Sequence, residues 1–175
     1  MRYLQLILIS VFVILFSACS EKKDKPEFTR LHNTKYQFSV LAPSSWKIIE
    51  NYHKNIPLLI LNEDEESSFN ANINIAVSDS ISMNVDSYFR TNLILMQQES
   101  SDFQIINQTR STINQLDYIE LNYEFNDESQ QLKVVSYFFC YQKTGYIITC
   151  TATKEDFGRN RQLFNKVVKS FKPNK

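Results

Sequence analysis

Two cysteines near the C-terminal end of the chain have the spacing of a structural or redox pair. Cys140 and Cys150 lie symmetrically about Gly145, in two apolar segments that the sequence predicts to be the strands of a hairpin. A register that pairs them directly would hold their Cα atoms about 4.5–5.5 Å apart, within reach of a disulfide. A register shifted by one residue would put them on opposite faces and leave two free thiols. The pair is a candidate disulfide, and redox catalysis is disfavoured because no Cys-x-x-Cys motif is present.

The other side chains that could do chemistry do not form a recognisable set. His32 and His53 are the only histidines, and neither has a partner at the spacing typical of a metal site or a hydrolytic triad. Residues 63–66 form an acidic run, but a calcium loop needs alternating carboxylates and a glycine bend. We interpret the run as a solvated loop, with weak cation binding as the alternative. We therefore predict no catalytic residues, no metal site and no cofactor.

Composition narrows the range of ligands. Trp46, the only tryptophan, follows a Pro-Ser-Ser turn, where it lines a candidate ligand groove or packs in the core. The chain has only 2 glycines, so the glycine-rich loops that cradle phosphates are absent. Its 19 basic and 19 acidic side chains balance, and we expect no nucleic-acid partner.

The N-terminal residues have the pattern of an export signal. Arg2 precedes an almost uninterrupted apolar run over residues 4–16, which is shorter than the ~20 residues needed to span a bilayer. Two small residues then precede Cys19. This pattern resembles a bacterial lipoprotein signal, with Phe16 where leucine is usual. The resemblance implies cleavage before Cys19 and acylation of its thiol and new amino group, including palmitate-type chains.

These features predict an ordered series of segments. Residues 1–18 are predicted to be a lipoprotein signal peptide, with plain secretion or an uncleaved membrane helix as alternatives. Residues 19–33 are polar and charged, which predicts a lipidated Cys19 on a flexible tether. Residues 34–173 then form one domain, large enough to bury roughly two-thirds of its unfolded surface. The protein would be anchored in the bacterial cell envelope, facing the periplasm or the cell surface.

Hydrophobic periodicity predicts the elements of that domain. Helical spacing predicts helices over residues 85–98, with Asn84 as N-cap, and over residues 154–171, with Thr153 as cap. No strand–helix–strand alternation occurs, which favours an α+β fold with helices packed on an antiparallel sheet. The predicted strands cover residues 35–41, 46–50, 56–61, 69–77, 103–112, 116–125, 132–141 and 146–153.

Three of these segments together resemble a known superfamily. They are YQFSVLAPSSW (36–46), VDSYFRTNLILM (85–96) and GYIITCTATKEDFGRNRQLFNKVVKSFK (145–172). Over about residues 34–173 the chain is similar to the superfamily of the photosystem II protein PsbP, the yeast Ran-release factor and bacterial envelope lipoproteins of the DcrB type. The resemblance implies a three-layer α/β/α sandwich around an antiparallel sheet, and roles in binding and assembly rather than catalysis.

The sequence therefore favours a non-enzymatic, lipid-anchored envelope protein that binds another envelope protein or assists assembly. The alternative is a lipoprotein that binds a small molecule or lipid in a groove near Trp46. A protein-binding module should expose a contiguous apolar patch, whereas a ligand-binding module should have a closed pocket beside that tryptophan. An enzyme should have a cleft of titratable groups with shifted pKa values.

Overall fold

The alternating and helical segments form ten strands and two helices in the described part of the chain. The computed structural model describes residues 27–63, 69–79, 81, 83–99, 102–127 and 130–174. The predicted signal peptide, Cys19 and acidic residues 64–66 lie outside these ranges. In chain order the elements are β1 (Phe28–Asn33), β2 (Phe38–Pro43), β3 (Lys47–His53), β4 (Ile56–Leu61), β5 (Asn72–Ser78), α1 (Val85–Glu99), β6 (Gln104–Ile113), β7 (Leu116–Asp127), β8 (Gln130–Tyr141), β9 (Thr144–Thr153), α2 (Phe157–Lys169) and β10 (Lys172–Pro173).

The strands form two antiparallel sheets, so the α+β prediction is confirmed but a second sheet was not predicted. Seven strands pair in the order β3-β4-β5-β9-β8-β7-β6, and three pair in the order β1-β2-β10. β1 lies in the segment predicted to be a flexible tether, and that prediction is wrong for residues 28–33. The strand pairs along its whole length with β2, from Phe28 opposite Pro43 to Asn33 opposite Phe38. Three of its four polar residues, Thr29, Arg30 and His32, are exposed, which is why its composition resembled a linker.

The seven-stranded sheet has an apolar core on each face, as β8 shows. Phe138 points toward α1, where its ring lies edge-on to Phe89 with the centroids 5.1 Å apart. Tyr137 and Phe139 alternate with it and belong to the other core, which α2 and the small sheet cover. α1 contacts β7 and β8, whereas α2 contacts β2, β8 and β9. The two helices therefore lie against opposite faces of β8.

The helix ends follow local hydrogen bonds. Asn84 caps α1 as predicted, since its side-chain oxygen accepts the Ser87 N–H at 3.0 Å. α2 begins at Phe157 rather than at residue 154, because Thr153 Oγ1 accepts the Asp156 N–H at 3.1 Å and closes a turn before the helix. Neither helix in the described residues is long and apolar enough to cross a membrane.

Candidate functional site

An exposed apolar patch lies where the C-terminal end of α1 meets the ends of β6 and β7. Three aromatic rings form its floor. The ring centroids of Phe103 and Tyr123 lie 4.5 Å apart with their planes tilted by 31°, and Tyr123 stacks on Phe125 at 6.3 Å. Aromatic pairs in such arrangements attract each other beyond the effect of buried area, so the floor is held in a fixed geometry.

Residues of α1 and β6 complete this site. Met96 and Glu99 of α1 close a pocket of about 270 Å³ over the three rings. Ile105 of β6 is the direct cross-strand neighbour of Tyr123 and remains 45% exposed. The aromatic patch is defined here by five residues: Met96, Phe103, Ile105, Tyr123 and Phe125. It offers apolar contacts with a single carboxylate at the rim, which suits the insertion of an apolar side chain.

More exposed apolar side chains lie on the two elements that border the aromatic patch. Ile94 and Leu95 of α1 are 56% and 51% exposed, and Ile106 of β6 is 50% exposed. Single exposed apolar residues are common, but several on adjoining elements beside a pocket are typical of an interaction surface. The sequence did predict these elements. The signal for the patch was the Ile105–Ile106 pair in a strand whose other residues before Ile113 are all polar.

Tyr123 contributes a neutral hydroxyl to the floor of the patch. Burial raises the pKa of Tyr123 to about 12; the hydroxyl lies 3.5 Å from Ser136 Oγ, and the Glu99 carboxylate adds to the increase. The phenol is therefore uncharged at neutral pH. Its hydroxyl is buried beside Ser136, so Tyr123 offers a partner the surface of its ring and does not serve as a base.

β6 adds a free backbone edge beside the patch. It is the outer strand of the seven-stranded sheet, and nine of its ten residues are exposed. Edge strands are often protected by lysine, proline or a β-bulge. β6 contains no lysine or proline, and its pairing with β7 is irregular only between Ile105 and Asn107. Its one charged residue, Arg110, bonds Asp86 and Asp117 of the same molecule at 3.0 Å each, and this contact lowers the pKa of Asp117. An extended segment of a partner could therefore pair with β6.

Trp46 lies in the core, so the prediction of a groove beside it is wrong. Its side chain is 8% exposed, and the indole lies edge-on to the Phe164 ring with the centroids 6.3 Å apart. A turn in which the Trp46 N–H donates to the Pro43 carbonyl directs the residue inward. Trp46 lines neither the pocket over the patch nor the two wider cavities described below. The core-packing alternative is confirmed.

The two cysteines are free, so the candidate disulfide is also wrong. β8 and β9 are joined by residues 142–143, which places Cys140 opposite Gly145 and Cys150 opposite Val135. Because neighbouring residues on a strand alternate in direction, the two thiols lie on opposite faces of the sheet. Cys150 is in the core under α2, and Cys140 packs against the core under α1.

The register differs from the symmetric hairpin because Gly145 is not a turn residue. A Cβ at Gly145 would lie 2.5 Å from the Tyr88 ring, so the glycine makes room for this side chain of α1. Burial raises the pKa of the Cys140 thiol to about 11 and also raises that of Cys150. Neither residue is a reactive thiolate at neutral pH.

Two wider cavities lie elsewhere on the surface. One of about 570 Å³ lies between the β6–β7 turn and β10, over Phe139 and Phe171. The other, of about 630 Å³, is polar and includes His53, whereas His32 lies on β1. Of the acidic run, only Glu63 is described, and it pairs with Lys47. Within the described ranges, no group of three or more His, Cys, Asp or Glu side chains could hold a metal ion.

Solved structures with the same fold come from several bacteria. The solution structure of cyanobacterial PsbP from Synechocystis sp. PCC 6803 has a TM-score of 0.65 at 13% identity, covering 87% of this chain and 95% of that chain. LpqN of Mycobacterium tuberculosis, which is involved in cell envelope biogenesis, has a TM-score of 0.65 at 10% identity, covering 85% and 91%. A Pseudomonas aeruginosa protein of unknown function has a TM-score of 0.62 at 14% identity, covering 85% and 99%. At these identities the likeness shows the fold alone.

A comparison with individual curated proteins found no match, but the sequence does match the model of a protein family. The family model described as DcrB matches residues 54–170. This range runs from the β3–β4 turn to the end of α2 and includes the whole aromatic patch. The resemblance predicted from three segments is therefore confirmed, and the chain belongs to the DcrB family, with a PsbP-like fold.

Proposed function

We propose that this protein is a non-enzymatic, lipid-anchored protein of the bacterial cell envelope that binds another envelope protein. The aromatic patch is its docking site, and the seven-stranded sheet is the middle layer of an α/β/α sandwich that supports the patch. The observation that carries the proposal is the pocket over Phe103, Tyr123 and Phe125 beside the exposed outer strand β6.

The size and setting of the pocket favour a protein partner. A volume of about 270 Å³ is below the roughly 300–1,000 Å³ of typical small-molecule pockets. It matches one large apolar side chain, the kind of anchor that dominates protein interfaces. The neighbouring edge of β6 offers backbone hydrogen bonds to the same partner, while the pocket would provide specificity.

The sequence supports lipid attachment at Cys19, and a structurally similar protein supports a location in the cell envelope. The apolar run of residues 4–16 ends in two small residues and Cys19, which is the pattern expected for lipid attachment. The structurally similar LpqN is involved in cell envelope biogenesis. Two or more acyl chains at Cys19 would hold the protein stably on a membrane.

Crosslinking in intact cells, followed by purification and mass spectrometry, tests this function. The native chain should recover one envelope protein in near-stoichiometric amount, and the Cys19→Ser form should recover much less because it is not anchored. Ile105→Asp should abolish recovery, since it places a charge in the patch. Tyr52→Asp is the matched control, because Tyr52 is an exposed apolar residue on β3, the opposite edge of the sheet. Equal recovery with both Asp variants would contradict docking at the patch.

The cavity over Phe139 and Phe171 supports a second candidate, the binding of a small molecule or lipid. Its volume of about 570 Å³ lies within the usual range for ligand sites, and its walls combine aromatic rings with the amides of Asn114 and Gln115. This candidate replaces the groove near Trp46. Native mass spectrometry of the purified domain should reveal a bound molecule if this function is correct, and the unliganded mass alone would oppose it.

A further inference from the structure

Although the total charge of the chain is balanced, the segment at the C-terminal end of the domain is strongly cationic. Residues 157–174 contain no Asp or Glu. All five cations in the segment are exposed: Arg159, Arg161, Lys166, Lys169 and Lys172. Such a one-sided distribution is a feature that the overall charge count could not reveal.

Three of these cations gather with one residue of β1 around the end of α2. Lys166 and Lys169 lie in the last turn of the helix, and Lys172 follows in β10. Arg30 of β1 reaches the same place, since its guanidinium lies 3.5 Å from the Ser170 carbonyl. We call these four residues the cationic cluster: Arg30, Lys166, Lys169 and Lys172. The one carboxylate that binds it among the described residues is Glu27, 3.0 Å from Lys166.

The chain that leads to Cys19 joins the folded domain at this cluster. Lys166 bonds Glu27, the first described residue, and its Nζ lies 3.8 Å from the centroid of the Phe28 ring. Seven residues separate Cys19 from Glu27, and the chain between the two Cα atoms spans at most about 30 Å even when fully extended. A lipid on Cys19 would therefore hold Glu27 within about 30 Å of the membrane surface, so that the domain can turn its cationic cluster onto that surface.

We propose that the cationic cluster is a second membrane contact, which binds the anionic headgroups of the lipid surface in which Cys19 is anchored. The inference rests on the lipid anchoring in the proposed function. Each Lys or Arg near an anionic leaflet strengthens attachment, and attraction falls off within about one Debye length of ~8–10 Å. The contact orients the domain: α2 faces the membrane, and the aromatic patch on the α1 side of the sheet faces away toward its partner.

The test uses the unlipidated chain from residue 20 onward, because both cores lie within residues 27–174. Sedimentation should show binding to vesicles of phosphatidylglycerol and phosphatidylcholine, and none to phosphatidylcholine alone. The triple variant Lys166→Gln, Lys169→Gln and Lys172→Gln should bind anionic vesicles at least about tenfold more weakly. The matched control Lys54→Gln, Arg90→Gln and Lys143→Gln removes three exposed cations elsewhere and should change binding less than about twofold. Circular dichroism verifies that both variants are folded.

Two results would overturn the inference: equal binding to neutral and anionic vesicles, or equal weakening by the two triple variants. Neither result bears on acylation, because the chain used has no lipid. Acylation is tested separately by the mass of the N-terminal peptide from the native protein. An unmodified Cys19 would remove the anchor from the proposed function even if the vesicle result is positive.

Discussion

The two helices of this protein differ in how much of their apolar surface is buried. α2 buries apolar residues from its first turn to its last, and its exposed side is cationic. α1 buries Val85, Tyr88 and Phe89 in its first half only, and its second half exposes Ile94 and Leu95. An apolar side that is buried along the whole helix is typical of a helix that stabilises a core, whereas exposed apolar residues in one half indicate a surface that another molecule covers. We therefore expect the α2 side to contribute most of the stability and to carry the proposed membrane contact, and the α1 side to carry the proposed docking site.

Replacing one core phenylalanine on each helix should give the largest difference in the free energy of unfolding between the two sides of the sheet. Phe164 of α2 is fully buried and contacts the Trp46 and Phe157 rings, so Phe164→Ala should lower the free energy of unfolding by about 3–5 kcal/mol. Phe89→Ala on α1 should cost less, because the core under α1 contains fewer buried residues than the core under α2. Urea denaturation measures both. A greater loss for Phe89→Ala would contradict the assignment of stability to the α2 side.

Alkaline pH should destabilise the floor of the aromatic patch. The pKa of Tyr123 is about 12 in the folded protein and 10.0 ordinarily. Its contribution to stability is therefore complete below pH 10 and is lost as the pH rises from 10 toward 12. Tyr123→Phe should reduce the fall in unfolding free energy over this range by about 2–3 kcal/mol. The exposed Tyr52→Phe is the control, and an equal effect from the two variants would refute the burial of the phenol.

The two glycines provide a smaller test, because Gly145 of β9 lies under α1 in close contact, whereas Gly158 of α2 is exposed. Gly145→Ala should destabilise the protein by about 1–3 kcal/mol, since its Cβ would collide with Tyr88 of α1. Gly158→Ala should stabilise it by about 0.4–1 kcal/mol, because it lies in the first turn of α2 with no atom within 4 Å of the new Cβ. Thermal denaturation of the two variants checks the signs, and a neutral Gly145→Ala would show that α1 is loosely packed there.

The two cysteine thiols should have the smallest effect on stability. Their reactivity toward an alkylating reagent nevertheless gives a clear test of the β8–β9 register. In the chain from residue 20 onward, unfolded without reductant, both cysteines should be alkylated, because they lie on opposite faces of the sheet. In the folded protein Cys140 should react slowly and Cys150 more slowly still, since burial raises the pKa of each thiol. Mass spectrometry counts the added groups. A chain that accepts label only after reduction would contradict the register.

Local sequence patterns predicted both helices and most strands. The β8–β9 register, β1 and the aromatic patch depend on tertiary contacts and were not predicted. A hairpin turn was predicted at residues 113–115, between β6 and β7. The turn itself has two residues, Asn114 and Gln115, which both adopt positive φ, at 52° and 66°. The β8–β9 register was missed because Gly145 resembles a turn residue, whereas its role is to accommodate Tyr88. β1 was missed because a short strand with one side exposed has too few apolar residues to differ from a tether. The aromatic patch needed the structure, since Phe103 and Phe125 lie far apart in sequence.

Site-specific photocrosslinking in intact cells tests the central claim most directly. One variant carries the photoreactive residue in place of Ile105 in the aromatic patch, and the other carries it in place of Gln162 on the exposed side of α2. The account predicts that the probe at Ile105 captures one envelope protein and that the probe at Gln162 does not. Capture of the same protein from Gln162, with none from Ile105, would contradict docking on the α1 side.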